Sequence, residues 1–168
     1  MGVSVESIKA LRGQTGAGIM DCKRALEQAN GDIDKAEEFL RERGVAAAAK
    51  KTSRITNEGV VEAYVHSGGR IAAMVEVNCE TDFVARTSEF KELAHDLAMQ
   101  VAAMSPLYLD CADIPEGEEE ANTQEVCLMQ QPFIKDPSKT IQDLVNEAVV
   151  KLGENVKIRK FSRFSLGE

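Results

Sequence analysis

Tryptophan is absent from this chain of 168 residues, and aromatic residues make up only 5% of it. Stacking platforms for bases or sugars are therefore scarce, and the core must consist mainly of aliphatic side chains and methionine. Cations are also few, because 20 lysines and arginines stand against 28 acidic residues, for a net charge of −8. This balance disfavours general binding to nucleic-acid phosphates, since that affinity comes from cations.

Long apolar runs and closely spaced cysteines are missing as well. No uninterrupted apolar stretch approaches the ~18 residues of a membrane span, and no basic region followed by an apolar segment opens the chain, so we expect no signal peptide. Cys22, Cys79, Cys111 and Cys127 form no CxxC pair, which argues against zinc. We expect a cytoplasmic protein with reduced thiols, no metal and no other cofactor.

Residues 1–44 predict three short helices. The second ends at the turn pair Asn30-Gly31, and the third begins at the N-cap Asp32 and ends before Gly44. Glycines after the first helix resemble a phosphate-binding loop only weakly, because no strand precedes them and no Gly-Lys-Ser/Thr follows. We interpret them as the turn between two helices; they are Gly13, Gly16 and Gly18. So small a bundle is typical of a docking module.

An Ala-rich linker at 45–57 leads to a predicted β-hairpin. Two alternating runs flank the turn signal Ser67-Gly68-Gly69. We expect their apolar residues to form one apolar face of the hairpin. These residues are Val61, Ala63 and Val65 in the first run and Ile71, Ala73, Val75, Val77 and Cys79 in the second.

The rest of the chain predicts two helices and a last strand. The first helix covers about 88–104, and the second begins with the capping-box sequence Thr140-Ile141-Gln142-Asp143 and ends at Gly153. The strand runs from about 156 to 166, with a bulge at Lys160-Phe161 where the alternation falters.

This order of elements favours an α+β fold. An N-terminal three-helix bundle is followed by a small antiparallel sheet with helices on one face. The other sheet face would be bare, which indicates an oligomer or a partner. Residues 110–125 contain seven acidic residues and no lysine or arginine, a composition typical of a solvated acidic loop.

The sequence gives little support for a catalytic site. The two histidines, His66 and His95, are predicted on a strand and on a helix, and neither adjoins a nucleophilic Ser or Cys in a strained elbow. The carboxylates are numerous, but no pair among them stands out as an acid and a base. The sequence therefore disfavours an enzyme.

The segment Glu80–Ala85 lies between a predicted strand and a predicted helix, where side chains point outward from a rigid scaffold. Two interpretations stay open. In one, Thr81 and Asp82 cap the helix or turn, and Phe83 starts the core stripe that continues with Phe90. In the other, Phe83 is an exposed tip that enters the cleft of a partner.

Five stretches together resemble the elongation factor Ts family, the guanine nucleotide exchange factors of the translation GTPase elongation factor Tu. They are Leu11–Lys23, Glu76–Ala85, Gln131-Pro132-Phe133, Pro137–Thr140 and Gly153–Arg159. Their order and spacing match across nearly the whole chain.

This resemblance implies an N-terminal module at 1–44 similar to a ubiquitin-associated bundle, a linker at 45–57 and an α+β core at 58–168. The chain resembles the short form of the family, with one core subdomain and no inserted coiled-coil hairpin. In that form two chains supply what one long chain supplies, which implies a homodimer and matches the bare sheet face. A thiol link between the two chains, through Cys79 or another cysteine, stays open.

The resemblance also implies the function. The protein would bind elongation factor Tu and disturb its Mg²⁺ and phosphate site without binding nucleotide itself, so that GDP leaves and GTP enters. The matching residues that dislocate Mg²⁺ are Thr81, Asp82, Phe83 and Val84, with Phe83 as a wedge and Asp82 as a hydrogen-bonding group. Partner-binding residues would be Lys9, Leu11, Arg12, Ile19, Met20 and Lys23 in the module and Leu152 and Gly153 in the core. For Leu11, burial in the bundle is an equal alternative.

The sequence allows two other functions. An RNA-associated α+β module would use a basic edge of Lys157, Arg159, Lys160 and Arg163. The net charge and the shortage of aromatic residues in the sheet speak against it. Ubiquitin-like recognition through the helical bundle alone leaves the core unexplained.

Overall fold

The computed structural model describes residues 3–116 and 122–167. The chain divides into two compact units, Met1–Thr52 and Ser53–Glu168. The first unit contains α1 (Val5–Thr15), α2 (Ile19–Gln28) and α3 (Ile33–Ala49). Its core is formed by small and aliphatic side chains from all three helices, namely Leu11, Cys22, Ala25, Leu26, Ala29 and Ala36.

Local signals define the ends of these helices. Ser4 caps α1, and Asp32 caps α3 by accepting a hydrogen bond from the Lys35 amide at 3.1 Å. Gly16 ends α1 in the left-handed conformation, with φ of 66°. The predicted end of α3 before Gly44 is wrong, because the alanines that follow favour helix and outweigh the roughly 1 kcal/mol cost of one glycine.

The second unit is mixed α and β. Its strands are β1 (Glu58–Val65), β2 (Ile71–Cys79), β3 (Pro132–Phe133), β4 (Asp136–Thr140) and β5 (Lys157–Ser165). Its helices are α4 (Asp82–Ala85), α5 (Ser88–Met104), α6 (Thr123–Val126) and α7 (Ile141–Leu152). Two 3-10 turns cover Cys111–Asp113 and Leu128–Gln130.

A three-stranded antiparallel sheet with the order β1-β2-β5 organises this unit. Helix α5 packs on β1 and β2, and Phe90 and Leu97 on α5 are fully buried together with Val75 and Val77 on β2. The predicted α+β class is confirmed. The bulge lies at Arg159, which has no partner in the register between β2 and β5, next to the predicted position.

The hairpin does not have one apolar face, as the alternation predicted, but two. Residues opposite each other in the register share a face, and Tyr64 pairs with Ala73 while Ala63 pairs with Met74. The apolar residues predicted for β2 therefore face α5, whereas those predicted for β1 face outward. We call the outward side the outer sheet face; its apolar residues are Val61, Ala63, Val65, Ala72, Met74 and Phe164.

The inward residues of β1 compensate by polar contact with α5. Nδ1 of His95 lies 3.1 Å from Oε1 of Glu62, and the ring of Tyr64 packs edge-on against His95 with centroids 5.7 Å apart. Nδ1 of His66 contacts the Tyr64 hydroxyl at 3.1 Å. These contacts account for the two histidines as packing residues at the edge of the sheet.

The capping box of α7 is confirmed. The Thr140 amide donates to Asp143 Oδ2 at 3.0 Å, and the Asp143 amide donates to Thr140 Oγ1 at 3.1 Å. Gly153 ends the helix at φ of 78°. The short β3–β4 hairpin was not predicted, because its strands contain few β-forming residues.

Only part of the predicted acidic loop is described, since residues 117–121 lie outside the described residues. Its first part forms the 3-10 turn capped by Asp110, and its last part forms α6, capped by Asn122. Within 3–116 and 122–167, no helix has both the length and the hydropathy needed to cross a membrane.

Candidate functional site

The junction between β2 and α5 presents an exposed aromatic side chain. Phe83 is 80% exposed, the highest value among the large hydrophobic side chains that the structure describes. Phe90, seven residues later, is fully buried. The interpretation that Phe83 starts the core stripe is therefore wrong, and its ring projects from the surface. We call residues Thr81–Val84 the corner.

Two successive helix caps hold the corner in place. The Thr81 hydroxyl accepts the Val84 amide at 3.4 Å at the start of α4, which confirms its predicted capping role. The Thr87 hydroxyl accepts the Phe90 amide at 3.2 Å at the start of α5 and donates to the Val84 carbonyl at 2.8 Å. With both ends of α4 capped, the backbone that carries Phe83 has little freedom.

A carboxylate from the other end of the chain lies beneath the corner. Oε2 of Glu154 accepts the amides of Glu80 and Thr81 at 3.1 and 3.0 Å, and Oε1 accepts the Thr81 hydroxyl at 2.6 Å. In return, Oε1 of Glu80 accepts the Asn155 amide at 2.6 Å. We call these reciprocal bonds between Glu80, Thr81, Glu154 and Asn155 the carboxylate clamp.

Arg54 joins the clamp from the start of the second unit. Its Nη1 lies 3.4 Å from Oε1 of Glu80, and its carbonyl accepts the side-chain amide of Asn155 at 2.9 Å. Asn155 is almost fully buried. Three distant segments of the chain therefore meet under the corner.

Cys79 is the last residue of β2 and lies directly beside the clamp. Its thiol is fully buried and donates to the Thr81 carbonyl at 3.2 Å. Burial, with the negative charge of Glu154 as the next cause, raises the pKa of Cys79 to about 11. A link to a second chain through Cys79 is disfavoured, because the sulfur has no exposed surface.

The remaining corner residues differ in their surroundings. Oδ2 of Asp82 forms an ion pair with Arg86 at 2.7 Å, and both side chains keep substantial exposure. Val84 is half-buried. Leu152 is half-buried and Gly153 is exposed at the end of α7. They directly precede Glu154, which binds the Thr81 amide, so both lie close to the corner.

Of the six predicted binding residues in the N-terminal unit, five are exposed and one is buried. Ile19 and Met20 open α2 with 54% and 62% of their surface exposed. The exposed cations of the set are Lys9, Arg12 and Lys23. Leu11 is fully buried among the core residues of the bundle and is removed from the predicted surface, because its apolar side chain is the largest in that core together with Leu26.

The sequence pattern alone assigns no role to Glu154 or Asn155. They occur in the stretch Gly153–Arg159 that carries the family resemblance, but they are more than 70 residues from Glu80 and Thr81. Within the described parts of the chain, no three His, Cys, Asp or Glu side chains are grouped to hold a metal ion.

The fold and the corner define an α+β protein with a three-helix N-terminal unit and one projecting aromatic side chain on a doubly capped turn. The family model described as "Elongation factor TS" matches residues 21–124 and 116–168. The chain belongs to the elongation factor Ts family, a family of translation elongation factors.

Curated relatives agree along nearly the whole chain. Elongation factor Ts of Carboxydothermus hydrogenoformans is 51% identical over 195 aligned positions, which cover 99% of this chain and 90% of the relative. Those of Thermoanaerobacter sp. (strain X514) and Desulfitobacterium hafniense are 48% and 49% identical, again over 99% of this chain and over 96% and 90% of the relatives.

The comparisons also show where this chain differs. The alignments span 195 positions although the chain has 168 residues, so the relatives contain residues that are missing here. The two parts of the family match overlap at residues 116–124. This overlap lies inside the acidic stretch and points to that stretch as the place of the shortening.

Proposed function

We propose that this protein is the guanine nucleotide exchange factor of elongation factor Tu and acts in the cytoplasm, where translation takes place. The observation that carries this proposal is the projecting Phe83 ring on a fixed corner. An exposed aromatic side chain at a rigid tip is suited to enter a cleft of a partner and to separate its elements. The protein acts by binding and performs no bond chemistry, so it needs no cofactor and no nucleotide of its own.

The mechanism follows from the corner. Phe83 enters the GTPase near its Mg²⁺ site, and Asp82 exchanges its ion pair with Arg86 for hydrogen bonds to the partner. The displaced partner element releases the contacts between Mg²⁺ and phosphate on which tight GDP binding depends. Because coupling is reciprocal, GDP weakens the binding of the factor by the same ratio, and the ternary complex is transient.

The N-terminal unit supplies affinity in this proposal. Ile19 and Met20 are adjacent exposed apolar residues at the start of α2. Apolar anchors surrounded by charges are typical of docking surfaces. Lys9, Arg12 and Lys23 are the charged residues of this surface.

We also propose that the protein forms a homodimer through the outer sheet face. Val61, Val65 and Phe164 are each at least 63% exposed on this face, and a contiguous exposed apolar patch is typical of an interaction site. A second copy with the same face gives a closed, symmetric interface.

The RNA-binding alternative loses support, because three of the four cations of its basic edge contact other groups of the protein. Nε of Arg163 donates to the Ala102 carbonyl on α5 at 3.1 Å, so this side chain turns toward the helix. Arg159 and Lys160 lie 3.7 and 3.5 Å from the carboxylate of Glu76. The positive charge available for phosphates is correspondingly lower.

Release of a fluorescent GDP analogue from elongation factor Tu tests the exchange function. The measurement gives a maximal release rate and the concentration of factor at half-maximal rate. We expect Phe83→Ala to lower the maximal rate by about 10-fold or more, since truncated aromatic anchors typically cost 2 kcal/mol or more. We expect Met20→Ala to raise the half-maximal concentration and to leave the maximal rate unchanged.

Leu107→Ala is the matched control, because Leu107 is another exposed apolar residue, 68% exposed, and lies away from the corner in sequence. It should behave as wild type. A wild-type protein that fails to accelerate GDP release would contradict the proposed function. A normal maximal rate for Phe83→Ala would contradict the wedge.

A further inference from the structure

Within the second unit, the side chain of Glu154 binds the backbone just before Phe83. One carboxylate accepts three hydrogen bonds at 2.6 to 3.1 Å, two of them from consecutive amides. The Thr81 hydroxyl donates to Glu154 and accepts from Val84, so a single side chain joins the clamp to α4. Hydrogen bonds to a charged acceptor are roughly twice as strong as neutral ones.

The hydrogen bonds of the clamp run both ways between its two segments. Glu154 binds the segment of Glu80, and Glu80 binds the amide of Asn155 at 2.6 Å. Because each carboxylate holds the backbone of the other segment, neither segment can shift without the loss of charged hydrogen bonds. Asn155 anchors the pair through the Arg54 carbonyl at 2.9 Å.

From this geometry we infer that Glu154 is a positioning residue for exchange, which fixes the backbone of Glu80 and Thr81 so that Phe83 projects in the orientation needed by the partner. This inference rests on the proposed function. A side chain that acts by insertion needs a rigid base, since a displacement of 1 Å at such a site can cost about 100-fold in rate. Glu154 itself need not touch the partner.

Hydrogen exchange of the isolated protein tests the physical part of this inference. We expect Glu154→Ala to accelerate exchange at the amides of Glu80 and Thr81 by about 10-fold or more, because both lose a charged acceptor. Glu154→Gln keeps one acceptor oxygen and should show a smaller increase. Unchanged exchange at both amides in Glu154→Ala would overturn the clamp.

GDP release from elongation factor Tu tests the positioning part. We expect Glu154→Ala to lower the maximal release rate by about 10-fold at saturating factor and to change the half-maximal concentration by less than about 2-fold, because docking through the N-terminal unit is retained. Glu154→Gln should recover much of the rate. Glu92→Ala, which removes an exposed carboxylate on α5, is the matched control and should match wild type.

The outcomes separate this inference from the proposed function. If wild type does not accelerate release, the proposed function fails, while hydrogen exchange still decides whether the clamp holds the corner. If wild type is active and Glu154→Ala has a normal maximal rate, the positioning role is overturned. Where Glu154→Ala does not fold, Glu154→Gln decides: a maximal rate equal to wild type together with exchange at Glu80 and Thr81 that is about 10-fold faster would overturn the positioning role.

Discussion

Burial and neighbouring charge determine the pKa of individual thiols and therefore their reactivity. Burial raises the pKa of Cys127 to about 11, with its contact to Cys111 as the next cause, just as burial and Glu154 raise that of Cys79. A thiol attacks as the thiolate, so both are nearly unreactive near neutral pH. Cys111 is partly exposed, whereas Cys22 is buried.

We therefore predict that one thiol of the four reacts quickly with a chromogenic disulfide reagent at pH 8, and that all four react in denaturant. The readout is the amplitude of the fast phase. Cys111→Ser should remove that phase, and Cys79→Ser should leave it intact. A fast phase of two or more thiols in the folded protein would contradict the burial of these side chains.

The same pKa directions give a dependence of stability on pH. Both thiols have a folded pKa above the ordinary value of 9.0, so the folded state binds more protons than the unfolded state between about 9 and 11. Their contribution to stability is complete below pH 9 and is lost as the pH rises toward 11.

Residue types alone predicted part of the corner. The capping role of Thr81 follows from its position before a helix, and Thr81 is the N-cap of α4 in the structure. The exposure of Phe83 did not follow, because spacing allowed it to join Phe90 in the core. Leu11 is the opposite case. The family resemblance made it a candidate for partner binding, but its side chain is buried.

At the scale of elements, Gly59 determines how closely β1 approaches β2. Its φ is 156°, and a Cβ built there would lie 2.1 Å from the Val77 carbonyl oxygen and 2.8 Å from Cα of Asn78. Both atoms belong to backbone, so a side chain fits only if the two strands separate. A glycine is thus required at this pairing.

We predict that Gly59→Ala lowers the free energy of unfolding of the second unit by about 2 to 4 kcal/mol, the range of a severe steric or backbone change. Chemical denaturation measures it. Gly13→Ala is the control, because Gly13 lies inside α1 with nothing within 4 Å of an added Cβ, and alanine should stabilise the helix by about 0.5 to 1 kcal/mol. Equal stability of Gly59→Ala and wild type would contradict the close approach.

Element types and several of their ends were predictable, whereas the faces of the strands were not. The boundaries of α5 and the capping box of α7 follow from local signals. The side of β1 that faces α5 depends on the register with β2, and Glu62 and Tyr64 face inward because His95 gives them a partner. Alternation in one strand carries no information about such a partner.

At the scale of the whole molecule, contacts between distant segments could not be predicted from the sequence pattern. Glu154 lies 73 residues after Thr81, and no local periodicity links the two. The class of fold was predictable, because it follows from the order of elements. An exposed apolar face of the sheet was also predictable, and Val61, Val65 and Phe164 are each at least 63% exposed there.

The outer sheet face gives the last prediction. We expect the wild-type protein to sediment as a dimer of the 18.3 kDa chain, and Phe164→Asp to sediment as a folded monomer, because Phe164 is 67% exposed on that face and a buried charge there would be unpaired. Leu107→Asp, an equally exposed residue outside the sheet, should leave the dimer intact. Analytical ultracentrifugation over a range of concentrations provides the masses. A wild-type protein that stays monomeric at high concentration, or a Phe164→Asp dimer as stable as wild type, would exclude this face as the interface.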